Sequence, residues 1–283
     1  MIFTQQTLNC DGQLLDLGTP LIMGVINVTP DSFFSASRKE HLADILRTAG
    51  EMLAAGADIL DIGGMSSRPG AAIIPPAQEI QRVVPAIAAI KNRFPDAIVS
   101  VDTVHAEVAR QAAAAGAGIV NDISAGRIDA EMYDAVAELG LPYVLMHMRG
   151  TPGNMQTRLD YENVVRDILD FFIQEVQRLR EKGVKDVIID PGFGFGKSIA
   201  QNYQLLKGLD LLQILEVPVL VGVSRKSMIY KLLGNTPEAA LNGTSVVHLL
   251  ALQHGARLLR VHDVAPAREV VTIWQMMEQT TVT

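Results

Sequence analysis

The sequence is poor in the features that mark secreted and membrane proteins. It has a single cysteine, Cys10, which leaves no partner for an intrachain disulfide and favours a reducing cytosol. The first basic residue is Arg38, so the N-terminus lacks the basic flank of a signal peptide. No apolar stretch approaches the roughly 18 residues that would span a bilayer. We therefore expect a cytoplasmic protein with no membrane segment.

Positive charge is also scarce. Of the 283 residues, 24 are Lys or Arg and 31 are Asp or Glu, which gives a formal net charge of −7. A general nucleic-acid binder needs a basic stripe to neutralise phosphates, so this balance argues against a nucleic-acid partner. Small anionic ligands stay compatible with the sequence wherever basic residues gather locally.

Eight short apolar runs recur along the chain. They are continuous rather than alternating, which is typical of parallel strands covered by helices on both faces. The runs cover residues 21–27, 59–63, 98–102, 119–122, 143–147, 187–190, 219–223 and 258–261. Between them, helical spacing of apolar residues is found at 41–55, 77–92, 104–115, 129–138, 161–182, 201–207, 237–254 and 265–278.

The spacing of these elements predicts an α/β fold, a (β/α)8 TIM barrel. Successive strands begin about 34 residues apart, the length of one strand and one helix. Glycines at 56, 116, 140 and 183 stand where helix C-caps need a left-handed residue. No linker interrupts the series, so we expect residues 1–283 to form one domain. Residues 3–17, with Asp11-Gly12 as the turn, predict an N-terminal β-hairpin that closes the barrel bottom.

In such a barrel the active site is built at the carboxyl ends of the strands. The predicted strands end in polar side chains, namely Asn27, Asp61, Asp102, Asn121, Asp122, His147, Asp190, Lys226, Arg260 and His262. Buried carboxylates and amides at an apolar mouth are costly unless they pair with each other or with a ligand. For Asp61 and Asp122 a purely structural role in binding a neighbouring loop stays open.

The residue types at this mouth indicate two kinds of ligand group. Asp102, Asn121 and Asp190 offer acceptors and donors suited to a flat, nitrogen-rich heterocycle. Lys226 and Arg260 are cations at the position where barrels often bind phosphate, and Arg68 is a third cation on the loop after the second strand. Asn27 is a neutral oxygen ligand for an accompanying Mg²⁺. Arg225 is left between an anion contact and a subunit contact.

Other motifs are excluded by their spacing. The glycine-rich run at 190–197 has Pro191 where a P-loop needs glycine, so it is interpreted as a turn with Phe195 as an apolar wall. Asn27-Val28-Thr29 stands where a zinc hydrolase barrel would carry His-x-His. Met146 and Met148 flank His147 and are interpreted as packing or pocket wall.

Together these motifs resemble the dihydropteroate synthase family, over nearly the whole chain. They are GVINVTPDSF at 24–33, DIGG at 61–64, SRPGA at 67–71, SVDT at 100–103, ND at 121–122, MHM at 146–148, DPGFGFGK at 190–197, SRKS at 224–227 and RVHD at 260–263. The resemblance implies condensation of a dihydropterin methyl diphosphate with p-aminobenzoate. It also implies a homodimer formed through the last helices.

The resemblance also implies roles for individual residues. The pterin would be held by Asp102, Asn121, Asp190 and Lys226. Pyrophosphate would be held by Asn27, Arg260 and His262, with Mg²⁺ at Asn27. The p-aminobenzoate site would be lined by Phe33, Pro69, Phe195, Lys226 and Ser227, with Met148 among the substrate-binding residues and Ser67 and Arg68 on a loop that helps close the site. Of these, Asp102, Asp190, Lys226 and Arg260 are the expected catalytic residues.

The chain departs from the family pattern at three places. Phe34–Ser37 replace the usual glycine-rich sequence, Met65 replaces the usual Glu, and Ser67 replaces Thr. We hypothesise that Phe34 and Met65 alter sulfonamide affinity more than substrate affinity. Two alternatives stay open: a corrinoid-linked methyltransferase, which would not need Lys226, Arg260 and His262, and a pterin-binding barrel that has lost turnover.

Overall fold

A computed structural model of the protein describes residues 7–28, 37–66, 70–151, 153, 155 and 159–281. Its strands are β1 (Thr7–Cys10), β2 (Gln13–Asp16), β3 (Leu21–Asn27), β4 (Ile59–Gly63), β5 (Ile98–Asp102), β6 (Ile119–Asp122), β7 (Tyr143–Met146), β8 (Val187–Asp190), β9 (Leu220–Val221) and β10 (Leu258–Val261). Its α-helices are α1 (Ser37–Ala54), α2 (Pro76–Arg93), α3 (Ala106–Ala114), α4 (Met132–Leu139), α5 (Val164–Glu181), α6 (Ile199–Lys207), α7 (Ser227–Tyr230), α8 (Leu241–Gln253) and α9 (Val264–Gln279). Short 3₁₀ helices cover Leu209–Leu215 and Glu238–Ala240.

The parallel strands form one sheet in the order β8-β7-β6-β5-β4-β3-β10-β9 within the described residues. The two edge strands meet through a parallel bridge between Ile189 and Val219, where the Ile189 N–H donates to the Pro218 carbonyl at 3.0 Å. This bridge brings the sheet round into a barrel, and the predicted (β/α)8 fold is confirmed.

Two predicted strands are shorter than expected. The seventh barrel strand covers only Leu220–Val221, because the chain turns there and the Lys226 N–H donates to the Val223 carbonyl at 3.1 Å. The fifth barrel strand ends at Met146 rather than His147, although the His147 N–H still donates to the Asp190 carbonyl at 2.9 Å. Both differences lie at the end of the barrel where polar side chains collect.

The predicted helices form between the strands, and the glycines end them as expected. Gly140 caps α4 with φ 65°, and Gly56, Gly116 and Gly183 also have positive φ angles of 96°, 106° and 89°. The last-but-one predicted helix, at 237–254, begins as the 3₁₀ turn Glu238–Ala240 before α8. No helix in the described part of the chain is long and apolar enough to cross a membrane.

The predicted N-terminal hairpin is present as β1 and β2. Cys10 pairs with Gln13, so the turn has two residues, and both Asp11 (φ 52°) and Gly12 (φ 84°) adopt the left-handed conformation that a type I′ turn requires. Leu8 and Cys10 lie inside the barrel, packed on residues from the first half of the strands. These are Leu21, Met23, Ile59, Ile98, Ile119, Val144, Ile188, Leu220 and Leu258. The hairpin therefore closes the bottom of the barrel. Residues 3–6 of the predicted segment lie outside the described residues.

Candidate active site

A network of buried charges occupies the carboxyl end of the barrel. Arg260 of β10 donates from Nε to Asp61 Oδ2 at 2.7 Å and from Nη2 to Asp102 Oδ2 at 2.6 Å. Asn121 Nδ2 donates to the same Asp61 oxygen at 3.1 Å. Asp61 is completely buried and Asp102 nearly so. The sequence did not decide whether Asp61 has a purely structural role. In the structure Asp61 positions the side chains of Arg260 and Asn121.

Burial and like charges dominate the electrostatics of this network. Desolvation raises the pKa of Asp102 well above its usual range, Arg260 opposes the shift, and Asp61, Asp122 and Asp190 add to it. Burial acts to lower the pKa of Arg260, but Asp61, Asp102 and Asp190 raise it above its usual value. The site therefore holds more negative charge than its arginine neutralises, and a positively charged ligand would relieve the repulsion.

Lys226 lies next to Arg260, against the glycine-rich turn: a β-carbon on Gly222 would lie 3.7 Å from Lys226 Nζ and 3.8 Å from Arg260 Cβ. Its Nζ donates to the Phe193 carbonyl at 2.6 Å and lies 4.7 Å from the centre of the Phe195 ring. Burial lowers the pKa of Lys226 to about 8, and Asp190 limits the decrease. Asp190 accepts a hydrogen bond from the Gly192 N–H at 2.7 Å, and burial raises its pKa.

A second buried lysine holds the same turn, and the sequence reasoning missed it. Lys197 Nζ donates to the carbonyls of Gly192 at 2.8 Å and Phe195 at 3.1 Å, and it lies 3.1 Å from His147 Nδ1. A β-carbon on Gly192 would lie 2.0 Å from the His147 carbonyl oxygen, so only glycine fits there. Lys197 and Lys226 thus bind different carbonyls of the same turn, and this fixes Phe193 and Phe195 beside Lys226.

The loops after β9 and β10 are joined by two pairs of side chains. Arg225 donates from Nε and Nη2 to the carboxylate of Asp263 at 2.7 and 2.9 Å. Ser224 Oγ lies 3.2 Å from both the backbone nitrogen and Nδ1 of His262. Arg225, which the sequence left open, therefore fastens the loop that carries Lys226 to the loop that carries His262.

An apolar wall completes one side of the mouth. It is formed by Met65, Val104, Ile123, Met146, Met148, Met155 and Phe195. Met148 is buried, and its carbonyl accepts from Arg127 Nη1 at 3.3 Å. The predicted wall residues Phe195 and Met148 are thus brought together.

Asn27 is exposed at the end of β3 and pairs in register with Gly63 of β4. The position that a β-carbon on Gly63 would occupy lies 3.7 Å from Asn27 Oδ1 and 3.6 Å from Asp102 Oδ2. Among the described residues, no group of three or more His, Cys, Asp and Glu side chains is arranged to hold a metal ion.

Ser227, Asp122 and the residues outside the described ranges remain to be placed. Ser227 begins α7, next to Lys226. Asp122 binds its own turn, since it accepts from the Ser124 N–H at 2.6 Å, the Gly126 N–H at 2.8 Å and Tyr143 Oη at 2.7 Å. The residues that lie outside the described part of the chain are Phe33, Phe34, Ser67, Arg68 and Pro69.

The same barrel occurs in known proteins. Residues 23–262 match the family described as "Pterin binding enzyme". The chain is 42% identical over 271 residues to dihydropteroate synthase of Escherichia coli strain K12, covering 95% of this chain and 94% of that protein. A solved structure of the Xanthomonas albilineans enzyme with 4-aminobenzoic acid is similar, with a TM-score of 0.90 and 42% identity over 98% of this chain and 100% of that chain. A Yersinia pestis dihydropteroate synthase in a sulfonamide drug complex has a TM-score of 0.91 and 42% identity, covering 97% of this chain and 100% of that chain.

Proposed function

Because the chain belongs to the dihydropteroate synthase family of pterin-binding enzymes, we propose that it condenses a dihydropterin methyl diphosphate with p-aminobenzoate and releases pyrophosphate. The observation that carries this proposal is the ionic network in which Arg260 bridges Asp61 and Asp102. This network lies at a barrel mouth that also holds Lys226 and Asp190. Such a site has carboxylates that can stabilise a pterin cation and a guanidinium that can stabilise the departing diphosphate.

We propose that Asp102, Asn121, Asp190 and Lys226 bind the pterin. Asp102 and Asp190 are acceptors for the ring N–H groups, and Asn121 and Lys226 are donors for its oxygen and nitrogen atoms. Burial raises the pKa of Asp102 in the free protein, and repulsion from the neighbouring carboxylates adds to the shift. A ring that gains positive charge relieves this repulsion, so the site stabilises the charge-separated state more than the neutral substrate.

The diphosphate is assigned to Arg260 and His262, with Arg68 on the loop after β4. Asn27 fits a Mg²⁺ bound to the diphosphate, because its exposed amide offers one neutral oxygen on the same side of Gly63 as the Asp102 carboxylate. When bound, the ion neutralises charge on the departing diphosphate. The protein's own contribution is the guanidinium of Arg260, which Asp61 and Asp102 hold in one orientation.

For p-aminobenzoate we propose a site against the apolar wall. Met148 and Phe195 flank the ring, and Lys226 and Ser227 supply polar contacts on the neighbouring loop. Phe33, Ser67 and Pro69 complete this assignment from the sequence resemblance.

In the proposed reaction, the bond between the pterin methylene carbon and the diphosphate oxygen breaks, and its electron pair leaves with the diphosphate. The arylamine nitrogen then forms the new carbon–nitrogen bond and releases one proton to solvent. Asp102 and Asp190 stabilise the pterin cation, and Arg260 stabilises the diphosphate. In this reaction no covalent bond to the protein forms.

Pyrophosphate release on addition of p-aminobenzoate tests this function. We expect release by the wild-type protein, with a strong decrease in Lys226→Ala and Asn27→Ala. Arg47→Ala is the matched control, since it removes an exposed cation on α1 that pairs with Asp44 and Glu51 of the same helix. Calorimetric pterin binding without pyrophosphate release would instead indicate a barrel that has lost turnover. Transfer of a methyl group to a corrinoid would support the methyltransferase alternative, which the cations at this mouth disfavour.

We also propose that the protein is a cytoplasmic homodimer whose chain forms one domain. The exposed apolar side chains Val246, Leu250, Ile273, Met276 and Met277 on α8 and α9 support an interface there. The contacts of the N-terminal hairpin inside the barrel support a single folding unit. Sedimentation of wild type and of Val246→Asp/Ile273→Asp tests the dimer, and a single coincident unfolding transition tests the domain. Cell fractionation tests the location.

A further inference from the structure

The serine that precedes Arg225 makes an unusual pair of contacts with one histidine. Ser224 Oγ lies 3.2 Å from the backbone nitrogen of His262 and 3.2 Å from its Nδ1. The backbone N–H can only donate, so the serine oxygen accepts that hydrogen bond. The adjacent ion pair of Arg225 with Asp263 fastens the same two loops and keeps Ser224 opposite His262.

The hydroxyl proton of Ser224 then has one acceptor among the contacts found in the described residues, which is His262 Nδ1. Ser224 is only 4% exposed, so its hydroxyl gains little from water. When Nδ1 accepts a hydrogen bond, a neutral imidazole carries its proton on Nε2. His262 as a whole is exposed, and Nε2 is the ring nitrogen that Ser224 does not contact.

The charged groups around His262 favour its neutral form. Partial burial lowers the pKa of His262, and the neighbouring cations Arg260, Lys226 and Arg225 lower it further. Asp263 opposes the shift but is itself paired with Arg225. Three cationic side chains therefore already lie near His262.

We propose that Ser224 is a positioning residue that holds His262 as the neutral Nε2–H tautomer, so that His262 donates a hydrogen bond to a diphosphate oxygen without adding charge. This inference rests on the proposed function, which assigns the diphosphate to Arg260 and His262. A neutral donor of fixed direction favours a diphosphate in one orientation, whereas charge alone attracts any anion.

The tautomer can be measured without turnover, by nitrogen NMR of protein labelled in its histidine rings. We expect the wild type to show Nδ1 unprotonated and Nε2 protonated at pH 7, and Mg²⁺ with pyrophosphate to shift the Nε2–H resonance. Ser224→Ala should give a mixture of tautomers, and Ser224→Thr, which keeps the hydroxyl, should restore the wild-type state. Ser245→Ala is the matched control, because Ser245 Oγ donates to the Leu241 carbonyl on α8. A wild type protonated mainly at Nδ1, an unchanged tautomer in Ser224→Ala, or an Nε2–H that ignores pyrophosphate would each overturn the inference.

Kinetics provide the second readout. Ser224→Ala should raise KM for the pterin diphosphate about five-fold, the effect of one hydrogen bond, and leave KM for p-aminobenzoate unchanged. His262→Gln, whose amide nitrogen can take the place of Nε2, should retain more activity than His262→Asn, whose amide takes the place of Nδ1. The reverse order would contradict the inference. Failure of wild-type pyrophosphate release would count against the proposed function alone, because the NMR result does not depend on it.

Discussion

The two ends of the barrel bury opposite kinds of side chain. At the bottom, Leu8 and Cys10 of the hairpin pack on a ring that includes Met23, Ile59 and Ile98, and these residues are at most 7% exposed. Burial of such apolar surface contributes about 25 cal/mol per Å². The thiol of Cys10 is part of this dry layer, and burial raises its pKa to about 12. The bottom therefore stabilises the fold.

At the mouth, the equivalent layer holds Asp61, Asp102 and Asp190 around Arg260. Removal of these charges from water is costly, and the pairs with Arg260 offset only part of that cost. The bottom also has carboxylates, but they lie nearer to water and accept backbone N–H groups: Asp58 accepts from Ile22 at 2.7 Å. The mouth therefore lowers the stability of the fold, and it does so where the proposed charged ligand would bind.

The largest expected effect on turnover comes from replacing a buried aspartate by asparagine at the mouth, compared with the same change at the bottom. Asp102→Asn removes a carboxylate that would stabilise the pterin cation, so kcat/KM should fall at least about 100-fold. It also removes a buried charge with a raised pKa, so the free energy of unfolding should stay level or rise. Pyrophosphate release and urea unfolding measure the two quantities.

Asp58→Asn is the matched variant at the bottom. It should leave KM and kcat near wild type and lower stability, because it weakens the contacts with Ile22 and Arg268. If Asp58→Asn reduced turnover as much as Asp102→Asn, the contrast between the two ends would be wrong.

The second effect is a loss of stability without a loss of function. Leu8→Ala leaves a cavity in the dry layer, so the free energy of unfolding should fall by about 2–5 kcal/mol. KM for both substrates should be unchanged at a temperature where the variant is folded. Leu14→Ala is the control on the same hairpin, since Leu14 is 69% exposed. Equal unfolding midpoints for the two variants would show that the hairpin does not close the core.

The third effect is a pH dependence of turnover that arises at the mouth and not at the bottom of the barrel. Burial lowers the pKa of Lys226 to about 8, so its ammonium is lost as pH rises through that value. If the charged form of Lys226 is needed, kcat/KM should therefore fall about tenfold per pH unit above pH 8, which gives the pH profile a basic limb. Stability should move the other way: an unfolded lysine keeps its proton up to about pH 10.4, so the unfolded state binds more protons between the two values and the Lys226 contribution rises with pH.

Two measurements check this prediction. The pH profile of pyrophosphate release gives the limb, and unfolding of wild type against Lys226→Met at pH 7.5 and 9.5 gives the stability contribution. Leu8→Ala should keep the wild-type limb, because the hairpin is at the other end of the barrel. A limb that stays near the usual lysine value would show that Lys226 is not desolvated in the working enzyme.

The sequence predicted the bottom of the barrel better than the mouth, for a physical reason. Strand runs such as 98–102 and 258–261 and the turn at Asp11-Gly12 are local patterns, and the structure has them where expected. The pairing of Asp61 with Arg260 joins residues 199 positions apart, and it exists only because the barrel closes. The link between Lys197 and His147 also depends on two loops that meet in space. No local pattern reports such contacts.

The smallest expected effect lies at the edge of the mouth, at Met65. This side chain is 9% exposed and packs in the apolar wall with Phe195 and Met148. A sulfonamide drug carries a bulkier group than the carboxylate of p-aminobenzoate, so a side chain at the edge of the proposed site would meet more of the drug than of the substrate. Met65→Glu should therefore change the sulfonamide inhibition constant by about three-fold, under 1 kcal/mol, with a smaller change in KM for p-aminobenzoate. Met65→Leu, which keeps the wall apolar, separates charge from shape. Equal changes in both constants for Met65→Glu and for Phe34→Ser would contradict the hypothesis, and would mean that the wall treats drug and substrate alike.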